Sequence, residues 1–200
     1  MPGKRYLYYE IEVSLLDIKP RIWRRFLLHE KAVFAELHAA IQDACGWDDY
    51  HLFSFRETLR SREDIAGLPS DDFLETPVPD ARLIRLFSIF DCKKPKKIFY
   101  EYDFGDSWIH EVKLKKCVEL PEQFKRRLLA GKRSFPPEDC GGIPGYEECL
   151  AAFELSKNPD FKHEYFDSEQ LEDRLEWMGY WSPEFFNLQE MQVHFDKLLE

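Results

Sequence analysis

The stretch Phe99-Tyr100-Glu101-Tyr102-Asp103-Phe104-Gly105-Asp106-Ser107-Trp108-Ile109-His110-Glu111-Val112 limits what this chain can become. It holds five aromatics, two aspartates, one glycine and one histidine in 14 positions. Residues 98–102 and 108–115 read as strands, since aromatic and β-branched residues crowd there as they do on a pleated, half-buried surface. Residues 103–107 between them read as a tight polar corner. Gly105 can take a positive φ, and Asp103 and Asp106 can accept bonds from nearby backbone amides. A hairpin of this kind commits its aromatics to a sheet face.

The rest of the chain supplies partners for that hairpin. Residues 6–16 alternate, with Leu7, Tyr9, Ile11, Val13 and Leu15 on one face and Tyr8, Glu10, Glu12 and Ser14 on the other, which predicts a half-buried strand. Residues 17–20 break the pattern. Residues 21–28 resume it, with Ile22, Arg24, Phe26 and Leu28 opposite Trp23, Arg25 and Leu27, so an antiparallel pair is predicted. Phe34, Leu37, His38, Ile41 and Cys45 recur at helical spacing, and Gly46 is placed to end that helix. Residues 47–50 form a polar corner and 51–55 a short strand. Residues 56–80 are a long polar excursion punctuated by prolines. Residues 83–90 read as a short helix. A helix is also predicted from Leu120-Pro121-Glu122 to about Ala130, ending at Gly131. Residues 135–145 are irregular. Further helices begin at Tyr146, after an N-cap at Ser168, and after an N-cap at Asn187 with Leu188, Met191, Phe195 and Leu198 turned inward. Together these elements predict an α+β fold: one domain, a mostly antiparallel sheet with helices covering one face, and a helix-rich C-terminal half. The domain is expected over residues 1–186, with 187–200 a helical extension of it.

Size and charge bound the function. A chain of 200 residues buries roughly 70% of its unfolded surface, so it needs no disulfide or metal to hold a core. The five cysteines, Cys45, Cys92, Cys117, Cys140 and Cys149, contain no C-x-x-C pair and read as buried or incidental thiols. The net charge of −10 disfavours non-specific nucleic-acid binding, although Lys93-Lys94-Pro95-Lys96-Lys97 and Lys125-Arg126-Arg127 are locally basic. No run of about 18 apolar residues predicts a membrane span. The first six residues lack an apolar signal core, so cytoplasm is the expected compartment.

Three sets of residues could carry chemistry. Asp103, Asp106, Glu138 and Asp139 could hold a divalent cation through oxygen ligands. They could equally pin their own turns or pair with Arg24 or Arg25. His38, His51 and His110 could ligate a metal or act as a base if they converged, but no H-E-x-x-H-like spacing is present, and structural histidines are the simpler reading. Cys140 or Ser107 could be a nucleophile, with Gly141-Gly142 offering amides to an anion, yet neither lies in a nucleophile elbow. Neither phosphate-binding glycine motif occurs.

Two motifs carry a family resemblance. Tyr100-Glu101-Tyr102-Asp103-Phe104-Gly105-Asp106-Ser107-Trp108-Ile109-His110 and Pro136-Pro137-Glu138-Asp139-Cys140-Gly141-Gly142 resemble the plasmid pRiA4b ORF-3-like family. So do Pro20-Arg21-Ile22-Trp23-Arg24-Arg25, Gly46-Trp47, His51-Leu52-Phe53-Ser54-Phe55 and Trp181-Ser182-Pro183-Glu184-Phe185-Phe186. The resemblance implies a single α+β domain found in bacteria, archaea and mobile elements, including the TnpR passenger protein of some insertion sequences, with no established reaction. The chain departs from the family's pattern at Ser134-Phe135, where a cysteine often precedes the second motif.

The preferred functional reading is a non-catalytic binding or accessory protein with an association to mobile elements and no cofactor. Its partner, a protein or a small molecule, would occupy a groove between the hairpin and the Pro136–Asp139 loop. The residues expected there are Trp23, Arg24, Arg25, His38, His51, Asp103, Asp106, Trp108, His110, Glu138 and Asp139. The alternative is a hydrolase dependent on a divalent metal ion, with Asp103, Asp106, His110 and Glu138 as candidate ligands and Asp139 beside them. A nucleic-acid accessory factor is the third reading.

Overall fold

Alternation in the first strand sets the architecture. The computed structural model describes residues 4–69, 78–94, 96–158 and 166–198. In β1 (Tyr6–Leu15), Tyr9, Ile11, Val13 and Leu15 enter the main core, while Glu10, Glu12 and Ser14 face the other side. β2 (Trp23–His29) runs back along it, from Ser14↔Trp23 to Tyr8↔His29. β6 (Trp108–Leu120) lies on the opposite flank of β1, from Leu15↔His110 to Tyr6↔Leu120. The predicted hairpin joins it to β5 (Lys96–Tyr102), with Tyr102 opposite Trp108. With β3 (Phe53–Arg56), β4 (Ala66–Gly67), β7 (Phe124–Lys132) and β8 (Lys197–Leu198) these strands form one sheet. Its order is β4-β3-β5-β6-β1-β2-β7-β8, with every neighbouring pair antiparallel. The α+β reading holds.

The helices close one face. α1 (Phe34–Cys45) presses Phe34, Leu37 and Ile41 into the core. Glu36 accepts from the Val33 N–H at its start (2.9 Å), and Gly46, at φ 79°, ends it. α2 (Gly142–Lys157) contributes Tyr146, Cys149 and Ala152, α3 (Ser168–Met178) Met178, and α4 (Leu188–Phe195) Phe195. Asn187 caps α4 as predicted, accepting from Gln189 and Glu190. The cap of α3 is Asp167 rather than Ser168. Among the described residues no helix is long and apolar enough to cross a membrane.

Five elements differ from the sequence reading. Residues 120–131 are not a helix: β6 continues to Leu120, and β7 begins at Phe124 and pairs with β2. Phe124, Arg126 and Leu128 are buried in alternation with Lys125 and Arg127, a period of two that pairing with β2 imposes on residues of good helix propensity. α2 starts at Gly142, with Pro144 inside its first turn, where a missing N–H costs nothing. Residues 83–90 hold only a short 3₁₀ turn, Leu86–Ser88. Leu198 belongs to β8 and is exposed. Part of the 56–80 excursion is strand, β4 pairing with β3; residues 70–77 lie outside the described residues.

The link from β6 to β7 has only three residues, yet β1 and β2 lie between the two strands. Strands sit about 4.8 Å apart, so the link must run nearly extended across this end of the sheet. It crosses a second, smaller core of Tyr8, Leu27 and Phe124, with Tyr6, Val118, Leu120 and Leu129 packed on it. Tyr8 and Phe124 stack at 4.1 Å, and the Tyr8 hydroxyl accepts from the Phe124 N–H at 2.9 Å. Two of the cysteines read as free thiols, Cys92 and Cys117, are joined in a disulfide; their spacing of 25 residues gave no motif to read. Cys45, Cys140 and Cys149 are free.

Candidate functional site

The corner between β5 and β6 is built by its aspartates. Asp103 Oδ1 accepts from the Gly105 N–H at 2.9 Å, and the Asp103 carbonyl accepts from Ser107 N–H at 2.6 Å. The left-handed backbone falls on Asp103 (φ 53°) and Ser107 (φ 54°) rather than on Gly105. Aspartate tolerates this region better than most residues because its short side chain bonds locally. Asp49 and Asp139 adopt it too, at φ 61° and 60°. Asp106 reaches across to the second motif: its Oδ2 accepts from Gly141 N–H at 3.1 Å. The two loops touch so closely that a Cβ on Gly142 would stand 2.9 Å from the Asp106 carbonyl.

That docking brings three groups to one open rim. His51 Nε2 lies 2.6 Å from Asp139 Oδ1 and 3.8 Å from Asp103 Oδ2, and one potential ligand atom from each residue falls within 4.8 Å of the other two. Burial is the largest single influence on the His51 pKa and lowers it, but the Asp139 hydrogen bond and the charges of Asp103, Asp139 and Glu138 together outweigh it, so the imidazole titrates above its ordinary value. Glu138 is turned away from this trio. It accepts from the Tyr102 hydroxyl and from the Asp48 N–H at 2.5 Å. Burial first, and the Glu138 bond second, hold the Tyr102 phenol well above its usual pKa.

The other candidates are placed elsewhere. Trp47 bridges the hairpin and the 135–142 loop: its indole stacks on Tyr102 at 5.1 Å and donates to the Pro136 carbonyl at 2.9 Å. Trp108 and His110 are buried behind it. His110 donates through Nδ1 to the Trp108 carbonyl (3.1 Å) and packs against Trp47, Tyr100 and Phe135. Burial drives its pKa down to about 4, and it does not join His51, Asp103 and Asp139 at the rim. His38 is buried on α1 and stacks on Phe53 at 3.6 Å. Its Nδ1 lies 2.8 Å from the Tyr100 hydroxyl and its Nε2 2.7 Å from Asp49. Burial lowers its pKa despite Asp49. A neutral ring then donates to Asp49 and accepts from Tyr100, whose oxygen accepts from Gln42 (2.8 Å).

The arginines are structural by geometry. Arg24 points inward, donates to the carbonyls of Ala44 (3.0 Å) and Trp23 (2.9 Å), and lies between Phe135 and Phe186. Burial lowers it to about 10. Arg25, on the outer face, pairs with Glu12 at 2.6 Å and covers the Trp23 ring. Neither reaches Glu138 or Asp139. Ser107 Oγ donates to Glu101 (2.9 Å). The Cys140 thiol is buried, and its hydrogen bond with Cys149, then burial, raise its pKa, so it is protonated at neutral pH and a poor nucleophile.

Beside the trio a cleft of about 600 Å³ opens between α2 and α3. Asp139, Glu148, Asp173, Arg174 and Trp177 line it, with Phe166 and Gln170. Arg174 pairs with Glu148 and lies over Trp177. Asp139 belongs to both the trio and the cleft. The sequence reading passed over the cleft, whose residues are spread over two helices with no motif, and over Asp49 and Tyr102. A lone Arg174 within acidic α3 was the available signal.

A model of the plasmid pRiA4b ORF-3-like protein family matches residues 8–190. An uncharacterised protein of Sinorhizobium fredii is 32% identical over 169 residues, covering 84% of this chain and 79% of that protein. The crystal structure of a protein of unknown function from Methanosarcina mazei Go1 superposes with a TM-score of 0.75 at 33% identity, covering 92% of this chain and 96% of that one. The chain belongs to the plasmid pRiA4b ORF-3-like family.

Proposed function

We propose that this member of the plasmid pRiA4b ORF-3-like family is a binding protein whose site combines a divalent cation with the cleft between α2 and α3. The observation that carries the reading is the convergence of His51 Nε2, Asp103 Oδ2 and Asp139 Oδ1 at an open rim. One imidazole nitrogen and two carboxylate oxygens suit Zn²⁺ or Mn²⁺ better than Ca²⁺, which favours all-oxygen sets. Ligands about 2.1 Å from such an ion stand no more than about 4.2 Å apart, so the trio needs only a small contraction. Three protein ligands leave coordination positions for a guest, and Asp139 puts those positions at the mouth of the cleft. The cleft offers a tryptophan face, three carboxylates and one guanidinium. This lining fits a small organic molecule or a short peptide segment with a cationic group, and the carboxylates repel nucleic-acid phosphates.

The same open positions support a second reading, a hydrolase dependent on a divalent metal ion, in which the cation polarises a substrate oxygen or activates water. Its metal set is His51, Asp103 and Asp139; Asp106 and Glu138 hold the loops in place. An association with mobile elements has no residue in this site to carry it.

The test is titration with Zn²⁺ and Mn²⁺, read by thermal unfolding and by elemental analysis of dialysed protein. A cation at about a hundred times its Kd adds about 2.7 kcal/mol, which raises the melting temperature of a chain this size by about 5–10 °C. Asp103→Asn and Asp139→Asn, which keep a residue tolerant of the left-handed backbone, should abolish the rise. No bound metal, or a rise that survives both substitutions, sinks the proposal. Metal-dependent turnover of phosphate or carboxylate esters that His51→Ala removes would favour the hydrolase over the binding protein.

A further inference from the structure

The acidic rim occupies one end of the sheet, beyond the Leu15↔His110 pair. The opposite end, beyond Tyr6↔Leu120, has the reverse character. A cavity of about 350 Å³ is set there between the start of β1, the end of β2, the first turn of α1 and the start of β7. Lys4, Lys31, Arg85 and Lys125 line it, and among the described residues none of these four has a carboxylate partner within ion-pair distance. Arg85 donates only to the Lys31 carbonyl. Two carboxylates, Glu30 and Glu36, line it too, but Glu36 is already held by the Val33 N–H. His29 adds no charge at neutral pH, because burial keeps its pKa below the ordinary value. Four unpaired cations against two carboxylates give a positive hollow on a chain of net charge −10.

We infer that this cavity is a binding site for a small phosphate-bearing ligand, independent of the cation site. Unpaired cations in a concave site raise the local concentration of anions and offer several donors to one phosphate group. The cations come from four separate parts of the chain and meet around one hollow, an arrangement that encloses a compact anion. A nucleic-acid backbone needs a basic track along the surface, and the acidic remainder of the molecule repels a polyanion longer than the cavity. The Tyr6 ring, with Lys4 Nζ 5.0 Å from its centre, and Leu28 and Ala32 give the ligand's non-phosphate part an apolar wall.

Calorimetric titration with sodium pyrophosphate tests this, in about 0.01 M salt, where charges act over about 30 Å. Saturable binding is expected, weakening at least about tenfold in the double variant Lys31→Gln, Lys125→Gln, and weakening steeply as salt rises. Both lysines reach solvent, and an unchanged melting temperature would show that the variant folds. Absence of binding to the parent protein overturns the inference, as does binding that the double variant leaves intact. A single-stranded oligonucleotide that binds more tightly than pyrophosphate and loses its affinity in the same variant would also overturn it, by assigning the surface to nucleic acid. The cation ligands take no part, so neither result bears on the rim.

Discussion

Three histidines of the candidate set meet three different environments, and chemistry follows the environment. His110 is sealed among aromatics and kept neutral; His38 spans Tyr100 and Asp49 beneath the surface; His51 faces carboxylates at the rim. A cation at the rim must displace the proton that Asp139 and Asp103 help His51 to hold. The sign is fixed by the raised pKa: cation affinity should be full above that pKa and fall about tenfold per pH unit below it, one proton being exchanged. In cation-free protein the same shift acts in reverse, stabilising the fold at low pH and losing that contribution as pH rises through the folded pKa. Calorimetric cation affinities measured across pH 5.5–8.5 check the slope, and His51→Gln should flatten it while weakening binding; a slope that persists in the variant would place the titrating group elsewhere. The four carboxylates were legible in the sequence as two pairs on two loops, and the structure brings those loops together through Asp106 and Gly141. The choice of histidine was legible in part. His110 is in phase with Trp108 and Val112, all three buried on one face of β6, so its alternation already pointed inward. His51 lies before β3 in no regular element, and only the tertiary contact gives it a role.

At the scale of elements, β7 shows why local preference fails. Its lysines, arginines, leucines and alanine are good helix formers, and Pro121 reads as a first-turn proline. A buried arginine at position 126 hid the alternation, because Arg126 occupies a core position while reading as polar. Its Nε donates to the Phe195 carbonyl at 2.7 Å, its guanidinium pairs with Asp43, and it lies 4.8 Å from the Phe195 ring. One side chain thus joins β7 to α1 and α4. Burial lowers its pKa to about 10, which leaves it charged at neutral pH. Arg126→Ala should therefore cost about 2–3 kcal/mol, through a lost charge-assisted bond and an unpaired buried carbonyl. Lys125→Ala, one residue away on the other face, should stay within about 0.5 kcal/mol. Urea unfolding of the two variants measures the contrast. Equal costs at 125 and 126 would contradict a strand at this position. The early strands, α1 and the hairpin had no such conflict: pattern, propensity and turn residues agreed there, and their bounds were close to those observed except at the end of β6, which runs on from 115 to Leu120.

Across the whole molecule, the sheet separates two charged ends. β1 alone, at about 3.3 Å per residue, places the acidic rim and the basic cavity about 30 Å apart. At physiological salt the Debye length is about 8 Å, so direct attraction between a bound cation and a bound phosphate is screened. The material between them is packed sheet and one continuous core, from Leu15 and Trp108 to Tyr9 and Leu28. Coupling between the ends would therefore need a second arrangement of the core itself, not a passive field. With Trp47 packed into the main core at one end and the separate Tyr8–Phe124 cluster at the other, the two sites should act independently. Cation affinity measured without pyrophosphate, which would chelate the cation, should agree within about twofold at physiological salt between the parent protein and the Lys31→Gln, Lys125→Gln double variant, the scatter expected of additive, distant sites. A larger change would mean either that both ligands share one site or that the core has two states. Removing the rim by Asp139→Asn separates these: in the first case pyrophosphate binding falls with it, and in the second it survives without the coupling.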